Sequence, residues 1–179
     1  RLWRYHKPRG LLTTTRDPQG RSTIFERLPT TLPRVVTVGR LDLNSEGLLL
    51  LTNDGTLARE LELPSTGWQR HYRVRAHGRV SEEALARLEG GTTVDSIRYG
   101  PIEARLDRKG RNNWLTVKVN EGKNREIRRV LESIGLTVNR LIRTAFGPFQ
   151  LSALKPNEVH EVPRKALNSK LMGHAYNRR

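Results

Sequence analysis

Gly39-Arg40-Leu41-Asp42-Leu43-Asn44-Ser45-Glu46-Gly47-Leu48-Leu49-Leu50-Leu51-Thr52-Asn53-Asp54-Gly55 places one acid, Asp42, beside one base, Arg40, in a segment that opens on a glycine. The unbroken apolar run Leu48 to Leu51 follows at once. Such a run, bounded by turn residues, reads as a strand buried on both faces. Asp42 therefore sits at the lip of the core and not on a loose surface loop. A carboxylate held there beside a cation is either a structural anchor or a chemical group, and the rest of the chain has to decide which.

Outward from that segment, the chain alternates strands and helices irregularly. Leu2 to Tyr5 reads as a strand that ends in the cationic turn His6-Lys7-Pro8-Arg9-Gly10. Leu11 to Thr15 is a second strand candidate, and Asp17-Pro18-Gln19-Gly20 a turn. Ser22 to Leu28 reads as a short helix capped by Ser22 or Thr23. Val35 to Val38 is a strand leading into Gly39, and Thr56 to Leu63 a helix with Leu57 and Leu61 inward. His71 to His77 alternates, with Tyr72, Val74 and Ala76 on one face and Arg73 and Arg75 on the other. A helix capped at Ser81 ends at Gly90-Gly91. Trp114 to Val119 is a strand, Asn124 to Ile134 the best helix, and Val138 to Ile142 and Glu158 to Val162 further strands. The stretch from Arg164 is basic and poorly patterned. Without steady β-α alternation the class is α+β.

At 179 residues the chain makes one large domain or two small packed ones. It carries 33 Lys+Arg against 18 Asp+Glu, a formal charge of +15, and its 35% hydrophobic content is enough for a core. A folded domain so charged binds a polyanion, nucleic acid being the commonest. The bland alternative is a merely soluble basic surface. With no cysteine there is no disulfide, thiolate catalysis or Cys-based metal site, which fits a reducing compartment, here the cytoplasm. No apolar stretch reaches the roughly 18 residues of a membrane span, and no signal peptide is visible. The chain starts at Arg1 with a strand already under way, and reads as a fragment lacking its upstream part.

The helix around Lys123-Asn124-Arg125-Glu126-Ile127-Arg128-Arg129 buries Ile127, Val130, Leu131 and Ile134. Arg125 and Arg129 fall on the wet face, as RNA contacts or as solvated charges. Arg128 lies at the border, where an arginine can bury its stem and aim its head at an internal carboxylate. Tyr72 is either a core tyrosine or a platform for a nucleobase. Arg73 and Arg75 are candidate phosphate contacts. Asp42, Glu46 and Asp54 are close enough in sequence to suggest Mg²⁺, yet no other acids join them, and the five histidines lack zinc spacing. No phosphate loop or serine elbow is present. The reading is of no metal and no cofactor.

These residues resemble the pseudouridine synthases, specifically the ribosomal RsuA family. Lys7-Pro8-Arg9-Gly10 is similar to its N-terminal motif, and Gly39-Arg40-Leu41-Asp42 to the motif that supplies a catalytic aspartate. Tyr72 falls where the family has an active-site tyrosine. Glu121 to Arg129 is similar to the late motif, in which Ile127 would line the pocket and Arg128 would pair with Asp42. The run Asp17 to Pro29 is most similar to RluB-type enzymes of large-subunit 23S ribosomal RNA. The resemblance implies isomerisation of an rRNA uridine by base flipping, with Arg40 filling the vacated space or holding phosphate. It names Lys7, Arg73, Lys123, Arg125 and Arg129 as RNA contacts. It implies a mixed, mostly antiparallel central sheet with flanking helices, two ferredoxin-like halves sharing a cleft, and a monomer acting on rRNA or an assembly intermediate away from membranes. Residues 1–163 would be the catalytic domain, 164–179 a basic tail, with an S4-like domain missing upstream by truncation or, as in the RluE type, naturally absent. RluE-, RluF- or RsuA-type specificity, or a non-catalytic assembly factor, are the alternatives.

Overall fold

The computed structural model describes the backbone of residues 1–176 and the side chains of residues 1–172. The chain runs β1 (Leu2–Lys7), β2 (Val36–Val38), β3 (Ser45–Thr52), α1 (Gly55–Glu62), β4 (Arg70–His77) and α2 (Glu82–Arg87). It continues through β5 (Thr92–Val94), β6 (Ile97–Tyr99), β7 (Ile102–Arg108), β8 (Asn112–Val119) and α3 (Glu126–Ser133). It ends with β9 (Thr137–Phe146), β10 (Phe149–Gln150), β11 (Val159–Glu161) and α4 (Arg164–Tyr176). The class is α+β, as the irregular alternation of patterns requires.

One mixed sheet carries the fold, in the order β11-β1-β3-β9-β4-β8-β7, with β2 also on β3 and β10 also on β9. Every pair in it is antiparallel except β3 with β9. That parallel pair joins two halves. Leu48 to Leu51 are fully buried on both faces of β3. Leu48 and Leu50 pack with α1, Trp68 and Phe149, while Leu49 and Leu51 pack with Trp3, Tyr5 and Ile24. In the other half, Val74, Leu115 and Val117 form a core with Leu85 of α2 and Val130 and Leu131 of α3.

The outer edge of β3 is divided. Ser45, Glu46 and Gly47 pair with β9, whereas Leu50, Leu51 and Thr52 pair with β2. Between them the sheet opens, and the loop 39–44 crosses this gap. Gly47 is needed for the junction: its φ is +108°, and a Cβ there would lie 2.2 Å from the Arg143 carbonyl oxygen.

Three sequence expectations change. Leu11 to Thr15 is no strand, since only Leu12 makes an isolated parallel bridge, to Thr23. The helix expected over Ser22 to Leu28 shrinks to a 3₁₀ turn, Ile24–Glu26, with no side-chain cap. Its polar flanks leave Ile24 as its one buried residue, too small an apolar face for a longer helix. The supposed tail is helix α4, whose Ala166, Leu167 and Leu171 pack on the core beside β10. Its weak periodicity hid it, because one short apolar stripe is enough to dock it. Residues 177–179 of that tail lie outside the described residues.

Candidate active site

Lys7 ends β1 with no exposed surface. Its Nζ donates to the carbonyl oxygens of Pro8 (3.1 Å), Asp42 (3.0 Å), Leu43 (3.4 Å) and Ser45 (2.8 Å). Burial pushes the ammonium down to about 8, against the attraction of Asp42 and Glu46. The expectation that Lys7 contacts RNA is therefore corrected. It lies under the loop, and a buried cation needs this ring of acceptors. The loop is tied further by Gly10 N–H to the Leu43 carbonyl (2.8 Å), Ser45 N–H to the Asp42 carbonyl (3.0 Å) and Gly39 N–H to Glu62 Oε1 (2.8 Å).

With its backbone held from below, Asp42 turns its partly exposed carboxylate into a cleft of about 560 Å³ between the two halves. Among the described residues the cation within ion-pair distance of it is Arg125, with Nη1 3.8 Å from Oδ2. The pairing expected of Arg128 is thus corrected. Arg128 donates from Nη2 to the Asn44 carbonyl (3.2 Å) and from Nη1 to the Val138 carbonyl (3.5 Å). It braces the same loop that Lys7 braces, and Asp42 acts on its charge only through space. Arg125 escaped helical-wheel reasoning because it precedes the helix. It occupies the N-cap in a left-handed conformation (φ 53°), which swings it toward Asp42.

Arg40, Tyr72, Lys123 and Ile127 also line the cleft. Arg73 and Arg129 do not. Arg73 leaves β4 on the face opposite Tyr72, where its guanidinium lies 5.0 Å from the Trp114 ring centroid. The acids once grouped as a metal option serve separate ends. Asp54 caps α1, accepting from the N–H groups of Thr56 (3.0 Å) and Leu57 (3.2 Å). Glu46 binds Arg140 through both oxygens (3.1 and 3.2 Å).

Two cleft residues were missed in the sequence. Arg143 of β9 is 4% exposed, and strand alternation from Leu141 places it on the buried face, had the strand been read past Ile142. Glu126, also 4% exposed, stands one helical turn before Val130, so its spacing did mark it as inward. The neighbours of its carboxyl group are the Glu121 side chain and the Lys123 backbone. Burial pushes its carboxyl up to about 8, the neighbouring Glu121 adds to the rise, and Lys123 opposes it.

This has a measurable consequence. The unfolded chain ionises Glu126 near its ordinary 4.5, while the fold keeps it protonated to about 8. Between those values the folded state holds the extra proton, so this group's contribution to stability falls as pH rises, by at most about 1.4 kcal/mol per pH unit. Glu126→Gln, neutral throughout, should gain on the parent chain between pH 5 and pH 8 in urea denaturation. A gap between the two that does not move with pH would mean that Glu126 is ionised in the fold.

A family profile described as RNA pseudouridylate synthase matches residues 1–133. A Rickettsia bellii protein named as an uncharacterized RNA pseudouridine synthase is 55% identical over 166 residues, covering 92% of this chain and 72% of that protein. A Pseudomonas aeruginosa protein named ribosomal large subunit pseudouridine synthase B is 43% identical over 168 residues, covering 92% of this chain and 44% of its own length. Among solved structures, a crystal structure of a pseudouridylate synthase matches with a TM-score of 0.84 at 22% identity, over 95% of this chain and 73% of that one. At that identity the likeness is one of fold.

Proposed function

We propose, since the chain belongs to the RNA pseudouridylate synthase family, that it isomerises a uridine of large-subunit ribosomal RNA with Asp42 as its catalytic carboxylate. The observation that carries the reading is the placement of Asp42, held by its backbone at the opening between two half-sheets, with its carboxylate free in the cleft beside Arg125. An aspartate whose backbone carbonyl is held by Lys7 and Ser45, with its carboxylate left in the cleft, has a side chain spare to the fold and available for chemistry.

The reaction breaks N1–C1′, turns the base and joins C5 to C1′. No group is lost and nothing is oxidised. Asp42 enters either as a nucleophile on ribose or base, or as a base that takes a ribose proton. Both routes need the uridine out of its stack. Arg40 at the rim is suited to hold a phosphate or fill the vacated space, and Lys123 and Arg125 add positive charge on the α3 side. Ile127, 5% exposed, gives an apolar wall.

Tyr72 lines the same cleft, and in this reading its ring stacks on the flipped base. Tyr72→Phe should bind RNA as the parent does, because the ring face is retained. Tyr72→Ala should lose roughly 1–3 kcal/mol of stacking. Single-turnover tritium release from 5-³H-uridine RNA measures this, and unchanged catalysis by a folded Tyr72→Ala would take the residue out of the pocket. The target is tested by mapping pseudouridine in ribosomal RNA from cells lacking the protein. One large-subunit position should lose its modification and regain it on complementation, and a loss confined to other RNAs would refute the assignment.

A further inference from the structure

Where β3 changes partners, its edge is not closed by another strand. The Leu48 carbonyl, between the segments paired to β9 and to β2, accepts instead from Nε of Arg143 at 2.8 Å. The Arg143 side chain thus stands in the gap of the sheet and lines the cleft with Tyr72 and Phe146. Its guanidinium carbon lies 5.0 Å from the Phe146 ring centroid. Its Nη2 is buried and has no hydrogen-bond partner. Among the described residues Arg143 joins no ion pair. Burial opposes its charge, the Tyr72 hydroxyl favours it, and Arg70 disfavours it again. A guanidinium does not shed its proton, and a buried one without a counter-charge is costly. The cleft therefore holds, beside the Tyr72 hydroxyl, a fixed cation with no carboxylate to neutralise it.

We infer that Arg143 is a catalytic residue that donates from Nη2 to a carbonyl oxygen of the flipped uracil and stabilises the negative charge on the base as N1–C1′ breaks. This rests on the function proposed above. The bonding pair of N1–C1′ departs with the base and is shared among N1, O2 and O4. After the ring turns, C5 bonds to C1′, C5 gives up its proton, and N1 ends protonated. Atoms and electrons balance with no co-reactant. A neutral uracil gains little from the cation and an anionic one gains much, so the interaction grows toward the transition state, which is the condition for acceleration. Its preorganisation is visible in the two contacts, to Leu48 and Phe146, that hold the guanidinium before any RNA arrives.

The test compares Arg143→Gln and Arg143→Met with the parent chain on RNA carrying uridine or 5-fluorouridine at the target. Fluorine acidifies the base, so its departure depends less on an external cation. Single-turnover loss of the parent nucleoside is followed by digestion and chromatography. On uridine the variants should slow by about 10²–10³, with RNA affinity and its salt slope unchanged. On 5-fluorouridine the loss should be at least about tenfold smaller. Denaturation midpoints should fall little, because each variant removes a costly buried charge together with the hydrogen bond to the Leu48 carbonyl. Equal losses on both bases would overturn the inference. So would a salt slope reduced by about 0.7–0.9, the mark of a phosphate contact, or unfolding of both variants, the mark of a structural anchor. If the parent chain converts no uridine, the proposed function fails. If the parent works and the variants work within about tenfold of it, only the role of Arg143 fails.

Discussion

Asp42→Asn should abolish isomerisation while leaving the fold and RNA affinity nearly intact. The amide has almost the same shape as the acid but is neither a nucleophile nor a base at useful rates. Its structural cost should be small. The loop is held through the carbonyls of Asp42, Leu43, Asn44 and Ser45, none of which the substitution touches. What is lost is one half-exposed pair with Arg125 at 3.8 Å, and such pairs contribute about 0–1 kcal/mol. RNA affinity should hold because phosphate contacts dominate it, and removing a negative charge from a basic cleft does not weaken them. Tritium release from 5-³H-uridine RNA at saturating protein separates chemistry from binding, and chemical denaturation follows the fold. Activity within about tenfold of the parent would remove Asp42 from the reaction. Lost activity accompanied by a large drop in stability would return Asp42 to the rank of a structural anchor, the other reading open to a carboxylate at the core edge.

Much of this arrangement is legible along the chain because it is local. The four leucines from Leu48 to Leu51 announce a doubly buried strand, and the strand places Asp42 beside it. The alternation from His71 to His77 puts Tyr72 and Arg73 on opposite faces. What periodicity cannot supply is the direction of long side chains at the ends of elements. Lys7 ends a strand and reads as an exposed cation in a turn, yet the loop that returns 35 residues later covers it completely. Arg125 and Arg128 exchange roles because one left-handed residue at the start of α3 breaks the helical wheel there. Arg143 was obscured for a different reason. Its strand runs to Phe146, past where the apolar pattern stops, and its environment exists only where the β3 edge divides between two partners. That division is a property of the sheet as a whole, invisible in either strand alone.

Lys7→Met should damage both stability and catalysis without touching RNA affinity. The methionine matches the apolar stem of the lysine but carries no donor. Of the four carbonyls that Lys7 serves, Leu43 keeps a partner in the Gly10 N–H and Asp42 one in the Ser45 N–H, whereas those of Pro8 and Ser45 lose a close donor. Each buried acceptor left unsatisfied costs about 1–3 kcal/mol, so with some relaxation the chain should lose about 2–4 kcal/mol. Lys7→Arg should not restore it, because the planar fork is larger than the ammonium and the site has no exposed surface into which to expand. In the fraction that stays folded, the loop carrying Asp42 loses its floor, and the single-turnover rate should fall even at saturating RNA, since a displacement of about 1 Å at a reacting group is enough to cost about a hundredfold. The contrast with a surface contact is sharp. A lysine that touched phosphate would, on removal, weaken binding and lower the salt slope by about 0.7–0.9, with stability unchanged. Denaturation midpoints and a salt titration of RNA binding distinguish the two on the same preparation. A Lys7→Met chain as stable as the parent but weaker on RNA would put the lysine at the surface and leave the position of Asp42 to be explained by Arg128 and the turn at Ser45 alone.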